Sequence, residues 1–128
     1  MAGVVLDASA VLAFVRDEPG SDRVLPHIGT AIISAVNLQE VVKDLTLVGM
    51  TPDEVRETLS GLRLDVRVHD ETAAYAAGAL VTQTRKYGRG LGDRSCMALG
   101  IALDTTVLTA DQEWKRVEIE GLTLEHIR

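Results

Sequence analysis

Residues 88–111 read GRGLGDRSCMALGIALDTTVLTAD, and this stretch predicts the fold of the C-terminal half of the chain. Three glycines and one arginine lead to Asp93, and an apolar run of helical character follows it. A β-branched segment at residues 105–109 then predicts a strand that ends just before Asp111. Each acid therefore lies at the boundary of an element, where its side chain can reach a cleft.

The rest of the chain alternates short apolar strands with amphipathic helices. Strands are predicted at residues 3–6, 31–33, 64–68, 106–109 and 122–125, the third with one solvent-facing side. Helices are predicted at residues 8–16, 35–48, 52–60, 70–86 and 93–103, with a short helix from residue 21 or 22 and one turn at 111–116. This alternation is typical of a parallel sheet with helices on both faces. The predicted fold class is therefore α/β, with residues 1–128 in one domain.

Capping signals mark several of these helix ends. Ser34 and Thr51 are expected N-caps, and Pro52 suits a first helical position. Gly49 and Gly61 are expected to end their helices.

The composition is that of a folded acidic protein. With 128 residues, of which 46% are hydrophobic, the chain can bury a core. Aromatic residues make up only 3%, which leaves few platforms for stacking single-stranded bases. The net charge of −6 argues against a nonspecific nucleic-acid binder. It is compatible with an enzyme that handles phosphates through divalent cations.

Targeting and redox signals are few. The N-terminus lacks a basic leader, and no apolar run reaches the roughly 18 residues of a membrane span. We therefore expect a cytoplasmic protein without a membrane partner. Cys96 is the one cysteine, and its apolar surroundings predict a buried side chain.

Three acids lie where helices are predicted to begin, namely Asp7, Asp93 and Asp111. Each can be interpreted as an N-cap that accepts hydrogen bonds from free backbone N–H groups. Asp7 and Asp111 also follow predicted strands directly. Because the carboxyl ends of parallel strands meet at one edge of a sheet, these two side chains can converge there.

A fourth acid is harder to choose from periodicity. Glu40 lies off the apolar stripe of its helix, on the same side as Asn37 and Asp44. Periodicity does not choose between Glu40 and Asp44, and a solvated helix face explains both.

Converging carboxylates would indicate a hard divalent cation. Mg²⁺ and Mn²⁺ take oxygen ligands and relieve the repulsion between crowded acids. The three histidines, His27, His69 and His126, are scattered without ligand spacing, which disfavours zinc. Two such ions can clamp a phosphodiester and activate water.

Four motifs carry a resemblance to a known family. They are VVLDASA at residues 4–10, SAVNLQEVV at 34–42, GLGDRSCMAL at 90–99 and VLTAD at 107–111. Together they resemble the PIN-domain ribonucleases, and most of all the toxin component of VapBC-type toxin–antitoxin pairs. The resemblance implies an Mg²⁺- or Mn²⁺-dependent RNA endonuclease that forms homodimers and is neutralised by a VapB-type antitoxin.

The resemblance also implies roles for particular residues. The metal-binding and catalytic acids would be Asp7, Glu40, Asp93 and Asp111, which selects Glu40 over Asp44. Ser9 and Thr109 match small hydroxyl positions beside the metal site. Asn37 and Ser34 would help to orient Glu40.

A basic segment beside Asp93 is a candidate RNA contact. It contains Arg85, Lys86, Arg89 and Arg94 around Tyr87. These cations can hold phosphates and Tyr87 can stack a base, although cations also favour a helix C-terminus. Lys115 and Arg116 form a second candidate, and the neighbouring Trp114 is expected to be a packing residue.

Other functions fit parts of the pattern. A phosphohydrolase would need a second acid two residues after Asp7, where Ser9 stands. A receiver domain would show a paired acid after the first strand and a lysine near the last strands, and neither feature is evident. A noncatalytic dimeric module that binds RNA or protein remains an alternative.

Overall fold

The computed structural model describes residues 3–128. Its strands are β1 (Val5–Leu6), β2 (Ile32–Ser34), β3 (Asp65–Arg67), β4 (Val107–Thr109) and β5 (Leu124–His126). Its α-helices are α1 (Ala8–Val15), α2 (Ser21–Val24), α3 (Ala35–Leu47), α4 (Pro52–Ser60), α5 (Glu71–Ala79) and α6 (Leu91–Leu103). Short 3-10 turns cover Leu25–His27, Leu80–Thr82 and Gln112–Arg116. Within the described part of the chain, no helix is long and apolar enough to cross a membrane.

The five strands form one parallel sheet in the order β3-β2-β1-β4-β5. The chain moves outward from β1 to β3 and then returns to place β4 on the other side of β1. Ligands of such sheets bind outside the carboxyl ends of the strands where the order reverses, which here is between β1 and β4. The predicted parallel α/β sheet is confirmed, and this edge is where Asp7 and Asp111 follow their strands.

Both faces of the sheet are buried, so its central strands are apolar apart from Ser34 and Thr109 at their carboxyl ends. Leu6, Ile33 and Leu108 pack on one face with residues of α1, α3 and α4. Val5 and Val107 pack on the other face beneath α6. Side chains two positions apart along a strand lie on the same face of the sheet. Asp7 and Thr109, two positions after Val5 and Val107, are therefore directed toward α6.

Most predicted helix ends are correct. Ser34 caps α3 by accepting from the Val36 N–H at 3.2 Å. Thr51 and Glu54 form a reciprocal capping box at α4, with Pro52 as its first residue. Gly49 follows α3 with φ +102°, a conformation that favours glycine.

The prediction of a helix reaching Lys86 is wrong, because α5 ends at Ala79. A 3-10 turn follows, and the Thr84 hydroxyl donates to the Leu80 carbonyl at 2.9 Å. Such local bonds compete with helix propagation. Residues 83–90 therefore form an irregular segment that is longer than the predicted loop.

β3 is less buried than its alternating pattern predicts. Val66 is 43% exposed and Val68, just beyond the strand, is 78% exposed. The reason is that β3 lies at the edge of the sheet. Its side chains have cross-strand neighbours on one side only, from β2.

Two helical glycines provide a matched test of the packing. A Cβ on Gly100 would lie 2.3 Å from Val107 Cγ2, whereas a Cβ on Gly78 would meet nothing within 4 Å. We expect Gly100→Ala to lower the free energy of unfolding by about 1–3 kcal/mol through overpacking. Gly78→Ala should raise it by about 0.5–1 kcal/mol, since alanine is the better helix former. Urea unfolding measures both, and equal shifts for the two variants would contradict the close packing of α6 on β4.

Candidate functional site

Asp7 is a buried carboxylate at the carboxyl end of β1. Only 5% of the residue is exposed, although it carries a charge in its ordinary ionisation state. Its Oδ2 accepts hydrogen bonds from the Ser9 hydroxyl at 2.6 Å and from the Thr109 hydroxyl at 3.0 Å. Asp7 stands at the N-cap position of α1 but makes no capping hydrogen bond, so the cap interpretation is wrong for this residue.

The two hydroxyls also connect Asp7 to the turn after β4. Ser9 Oγ accepts from the Ala110 N–H at 2.9 Å, and Thr109 Oγ1 accepts from the Asp111 N–H at 3.0 Å. Each hydroxyl thus donates to the carboxylate and accepts from the backbone of the neighbouring segment. This network fixes the position of Asp111 relative to Asp7 across about 100 residues of chain.

Glu40 is held by Asn37, one helical turn before it on α3. The fully buried Asn37 amide donates to Glu40 Oε1 at 2.8 Å and to the Gly92 carbonyl at 2.9 Å. A Cβ on Gly92 would collide with the Glu40 carboxylate, so any larger residue at this position would displace Glu40 from its place beside α6. Asp44, by contrast, forms a surface ion pair with Lys43 at 3.2 Å.

Sequence patterns gave Gly92 no role of its own. The glycine-rich stretch around it was the one indication of a close approach at this position. Ser34 caps α3 and makes its hydrogen bond to the backbone rather than to Glu40.

Asp93 and Asp111 occupy different capping positions. α6 begins at Leu91, two residues earlier than expected, so Asp93 lies in the first turn and accepts from the Gly90 N–H at 3.0 Å. The N-cap interpretation of Asp93 is therefore wrong. Asp111 is an N-cap, and its Oδ1 accepts from the Glu113 N–H at 3.0 Å.

Burial and mutual repulsion raise the pKa of two of these acids. Burial raises the pKa of Asp7 to about 6, with smaller increases from the charges of Asp93 and Glu40 and decreases from the two hydroxyls. Burial also raises the pKa of Asp93, and Asp111 and Glu40 add to the shift. Carboxylates from four separate parts of the chain therefore act on one another electrostatically.

Each of the four carboxylates uses one oxygen for hydrogen bonds to the described residues. These oxygens are Oδ2 of Asp7, Oε1 of Glu40, Oδ2 of Asp93 and Oδ1 of Asp111. The second oxygen of each group is available to another ligand. Within residues 3–128, no three carboxylate, imidazole or thiol groups lie close enough together to hold one ion as the side chains stand. Repulsion between like charges favours that separation.

The donor set suits a hard cation. It consists of oxygen atoms, and the groups that act on the Asp7 pKa are carboxylates and hydroxyls, without a basic side chain among the described residues. The fully buried Trp114 Nε1–H lies near enough to lower the Asp93 pKa slightly but makes no hydrogen bond. A divalent cation would compensate a buried negative charge that no basic side chain compensates.

Family comparison agrees with this geometry. The sequence matches the model of the PIN domain family over residues 4–120. The chain belongs to the PIN domain family. Nuclease activity is typical of that family, and the resemblance seen in the four sequence motifs is confirmed at this level. Comparison with curated protein sequences finds no match.

This PIN domain is similar in fold to several solved VapBC structures. The DNA-bound VapBC of Salmonella typhimurium is 19% identical over 100% of both chains, with a TM-score of 0.74. VapBC2 of Rickettsia felis, bound to a DNA fragment from its promoter, is 21% identical over 96% of this chain and 97% of that chain, with a TM-score of 0.72. VapBC-1 of nontypeable Haemophilus influenzae is 19% identical over 97% of both chains, with a TM-score of 0.70.

The basic candidates of this PIN domain differ in how freely they are exposed. Arg85, Lys86 and Arg89 are exposed, and among the described residues none of the three forms an ion pair. Arg94 is half-buried, and its guanidinium donates to the Arg89 carbonyl, which ties the loop to α6. Arg94 therefore uses part of its guanidinium for a contact within the protein and is less available to RNA than the other three.

Tyr87 is occupied by a contact that the sequence did not predict. The Arg116 guanidinium lies 5.5 Å from the centre of the Tyr87 ring and donates to its hydroxyl at 3.4 Å. This cation–π contact joins the segment before Asp93 to the turn after Asp111. Trp114 is fully buried, as expected of a packing residue, and so is Cys96.

The raised pKa of Asp7 predicts a pH dependence of stability in metal-free buffer. Because the folded pKa, about 6, exceeds the ordinary 3.8, the folded state holds this proton more tightly than the unfolded chain. The stabilisation is complete below the ordinary value and is lost as the pH rises through about 6, a loss of about 3 kcal/mol.

The variant Asp7→Asn isolates this effect, because its amide oxygen can still accept both hydroxyl hydrogen bonds. We expect it to match the wild type near pH 4 and to exceed it by up to about 3 kcal/mol at pH 8. Denaturant unfolding across that range measures the difference, with Asp44→Asn as the surface control. Parallel pH profiles for Asp7→Asn and the wild type would rule out a buried, strained carboxylate.

Proposed function

We propose that this PIN domain is a metal-dependent endoribonuclease that hydrolyses RNA phosphodiester bonds. The observation that carries the proposal is the electrostatic coupling of four carboxylates at the carboxyl edge of the sheet, where β1 and β4 lie side by side. Such an arrangement destabilises the folded protein unless cations bind there. Burial of Asp7 beside other acids does not stabilise the fold, so packing alone does not explain it.

Asp7, Glu40, Asp93 and Asp111 would hold one or two Mg²⁺ ions, for which Mn²⁺ is a substitute. Bound ions of this class supply Lewis-acid stabilisation of a phosphodiester and lower the pKa of water. Asp7 must be ionised to serve as a ligand, so its pKa of about 6 favours binding above that pH. The hydroxyls of Ser9 and Thr109 hold its oxygen in place, and Asn37 holds Glu40.

The exposed cations would bind the RNA itself. Arg85, Lys86 and Arg89 lie in a segment, residues 72–92, that contains no acidic residue although the whole chain is acidic. Basic side chains in this position can contact backbone phosphates on either side of the scissile bond. Arg94 would position the loop through its hydrogen bond to the Arg89 carbonyl.

The biological role that we propose is that of the toxin in a toxin–antitoxin pair. The four motifs and the fold likeness to VapBC structures support it. The partner would be a VapB-type antitoxin, the toxin would form a homodimer, and its place of action would be the cytoplasm. Residues 1–128 would act as one nuclease domain.

Asp7→Asn should lower metal-dependent RNA cleavage by about 10²-fold or more, since electrostatic groups at a reacting centre typically contribute that much. Asp93→Asn should do the same. Cleavage of total RNA with added Mg²⁺ or Mn²⁺, followed by sequencing of the ends, measures the effect. Asp44→Asn is the matched control on α3 and should cleave normally. Full activity in both site variants, or cleavage that survives exhaustive chelation, would defeat the nuclease proposal.

Metal binding should also be visible without RNA. Mn²⁺ at 100 times its dissociation constant should stabilise the folded state by about 2.7 kcal/mol and raise the Tm by several degrees. Asp93→Asn should lose most of that rise, while Asp44→Asn should keep it. Thermal unfolding with and without millimolar Mn²⁺ checks this, and an unchanged wild-type Tm would count against a four-acid metal site.

A further inference from the structure

A cavity of about 480 Å³ opens directly beside two of the four acids. It lies between α3 and the start of α6, and it includes both Glu40 and Asp93 in its wall. The remaining lining residues are Val36, Gln39, Lys43, Gly90, Leu91 and Gly92. None of the basic side chains assigned above to RNA lines this cavity.

The wall from α3 is one continuous face of the helix. Val36, Gln39, Glu40 and Lys43 follow one another at intervals of i, i+3, i+4 and i+7, so their side chains share a side. Lys43 lies nearly one helical turn beyond Glu40, about 5 Å along the axis. A chain of phosphates crossing the acids could therefore also meet Lys43.

The wall from the start of α6 presents an exposed apolar side chain beside Asp93. Leu91, the first residue of the helix, is 77% exposed although it adjoins Asp93. Gly90 and Gly92 stand on either side of it and leave its side chain uncovered. A Cβ at position 92 would collide with the Glu40 carboxylate, so glycine lets Glu40 lie against this end of α6. The cavity thus combines two apolar side chains, Leu91 and Val36, with the half-buried carboxylates of Glu40 and Asp93.

Two polar side chains of this cavity, Gln39 and Lys43, are exposed to solvent and make few contacts within the described residues. Gln39 is exposed, and its amide makes no hydrogen bond to the described residues. An amide both donates and accepts, which suits the edge of a nucleobase. Lys43 is paired only with Asp44 at 3.2 Å, in an exposed ion pair of small energetic value.

We propose that this cavity is a nucleotide subsite that holds the residue adjoining the cleaved phosphodiester. The base would lie on Leu91 and Val36, with Gln39 hydrogen-bonding to its edge and Lys43 beside the next phosphate. The volume falls within the range of about 300–1,000 Å³ typical of small-ligand sites. The subsite makes the cleavage depend on the base, and it rests on the proposed RNA cleavage at the four acids.

The test uses residues 1–128 and fluorescein-labelled single-stranded RNA pentamers that differ only in the central base. Binding is measured by anisotropy with Ca²⁺, a hard cation with oxygen ligands, in place of Mn²⁺. Gel electrophoresis of the pentamers afterwards shows whether any was cleaved, so binding is read apart from cleavage. Leu91→Ala should weaken the tightest pentamer by about tenfold, the amount expected for loss of one buried leucine contact. Gln39→Leu should reduce the differences among the four bases.

Leu47→Ala is the matched control, because Leu47 is an equally exposed helical leucine, at 76%, outside the cavity. It should bind every pentamer within about twofold of the wild type, which is the scatter expected for a surface change without contact. Circular dichroism verifies that all three variants fold. Wild-type affinity in Leu91→Ala, or an equal loss in Leu47→Ala, overturns the subsite.

Failure of the subsite and failure of the nuclease are distinguishable. Pentamers that bind through Leu91 but are never cleaved with Mn²⁺ support the subsite and defeat the nuclease proposal. Cleavage with unchanged base preference in Leu91→Ala and Gln39→Leu supports the nuclease proposal and defeats the subsite. If Leu91→Ala weakens binding of the antitoxin encoded beside the toxin but not of RNA, the cavity belongs to a protein partner and the proposal is overturned.

Discussion

The buried negative charge of Asp7 is the constraint on which the rest of the site depends. Two hydroxyls compensate part of its burial by donating to a single oxygen, and their own lone pairs accept the N–H groups of Ala110 and Asp111. Two of these hydrogen bonds stabilise the carboxylate, and the other two link the same hydroxyls to the turn after β4. Local satisfaction of one charge thereby fixes the geometry of the sheet edge.

Much of the fold follows from local sequence, since the alternation of strands and helices predicts the parallel sheet and Ser34 and Thr51 predict their caps. The errors arise where tertiary context overrides propensity. α5 gives way after Ala79 to a 3-10 turn, where the Thr84 hydroxyl bonds to the Leu80 carbonyl, and Val66 remains exposed because β3 is an edge strand. Neither strand order nor edge position can be read from periodicity.

Local sequence patterns were less informative about the candidate site than about the fold. Periodicity did not distinguish Glu40 from Asp44, and only the resemblance to a family did so. In the structure, Asn37 bonds to both Glu40 and the Gly92 carbonyl of α6, while Asp44 pairs with Lys43 at the surface. Contacts between distant segments, such as this one, leave little trace in the spacing of residues.

The proposed four-acid metal site is tested most directly by one measurement, the anomalous scattering of Mn²⁺ in crystals of the wild-type protein. Convergence of the carboxylates predicts a peak at the carboxyl edge between β1 and β4, within ligand distance of Asp7 and of at least one of Glu40, Asp93 and Asp111. Crystals of Asp7→Asn should lose it. A wild-type map with no peak at that edge, or with manganese bound only elsewhere, would contradict the proposed site.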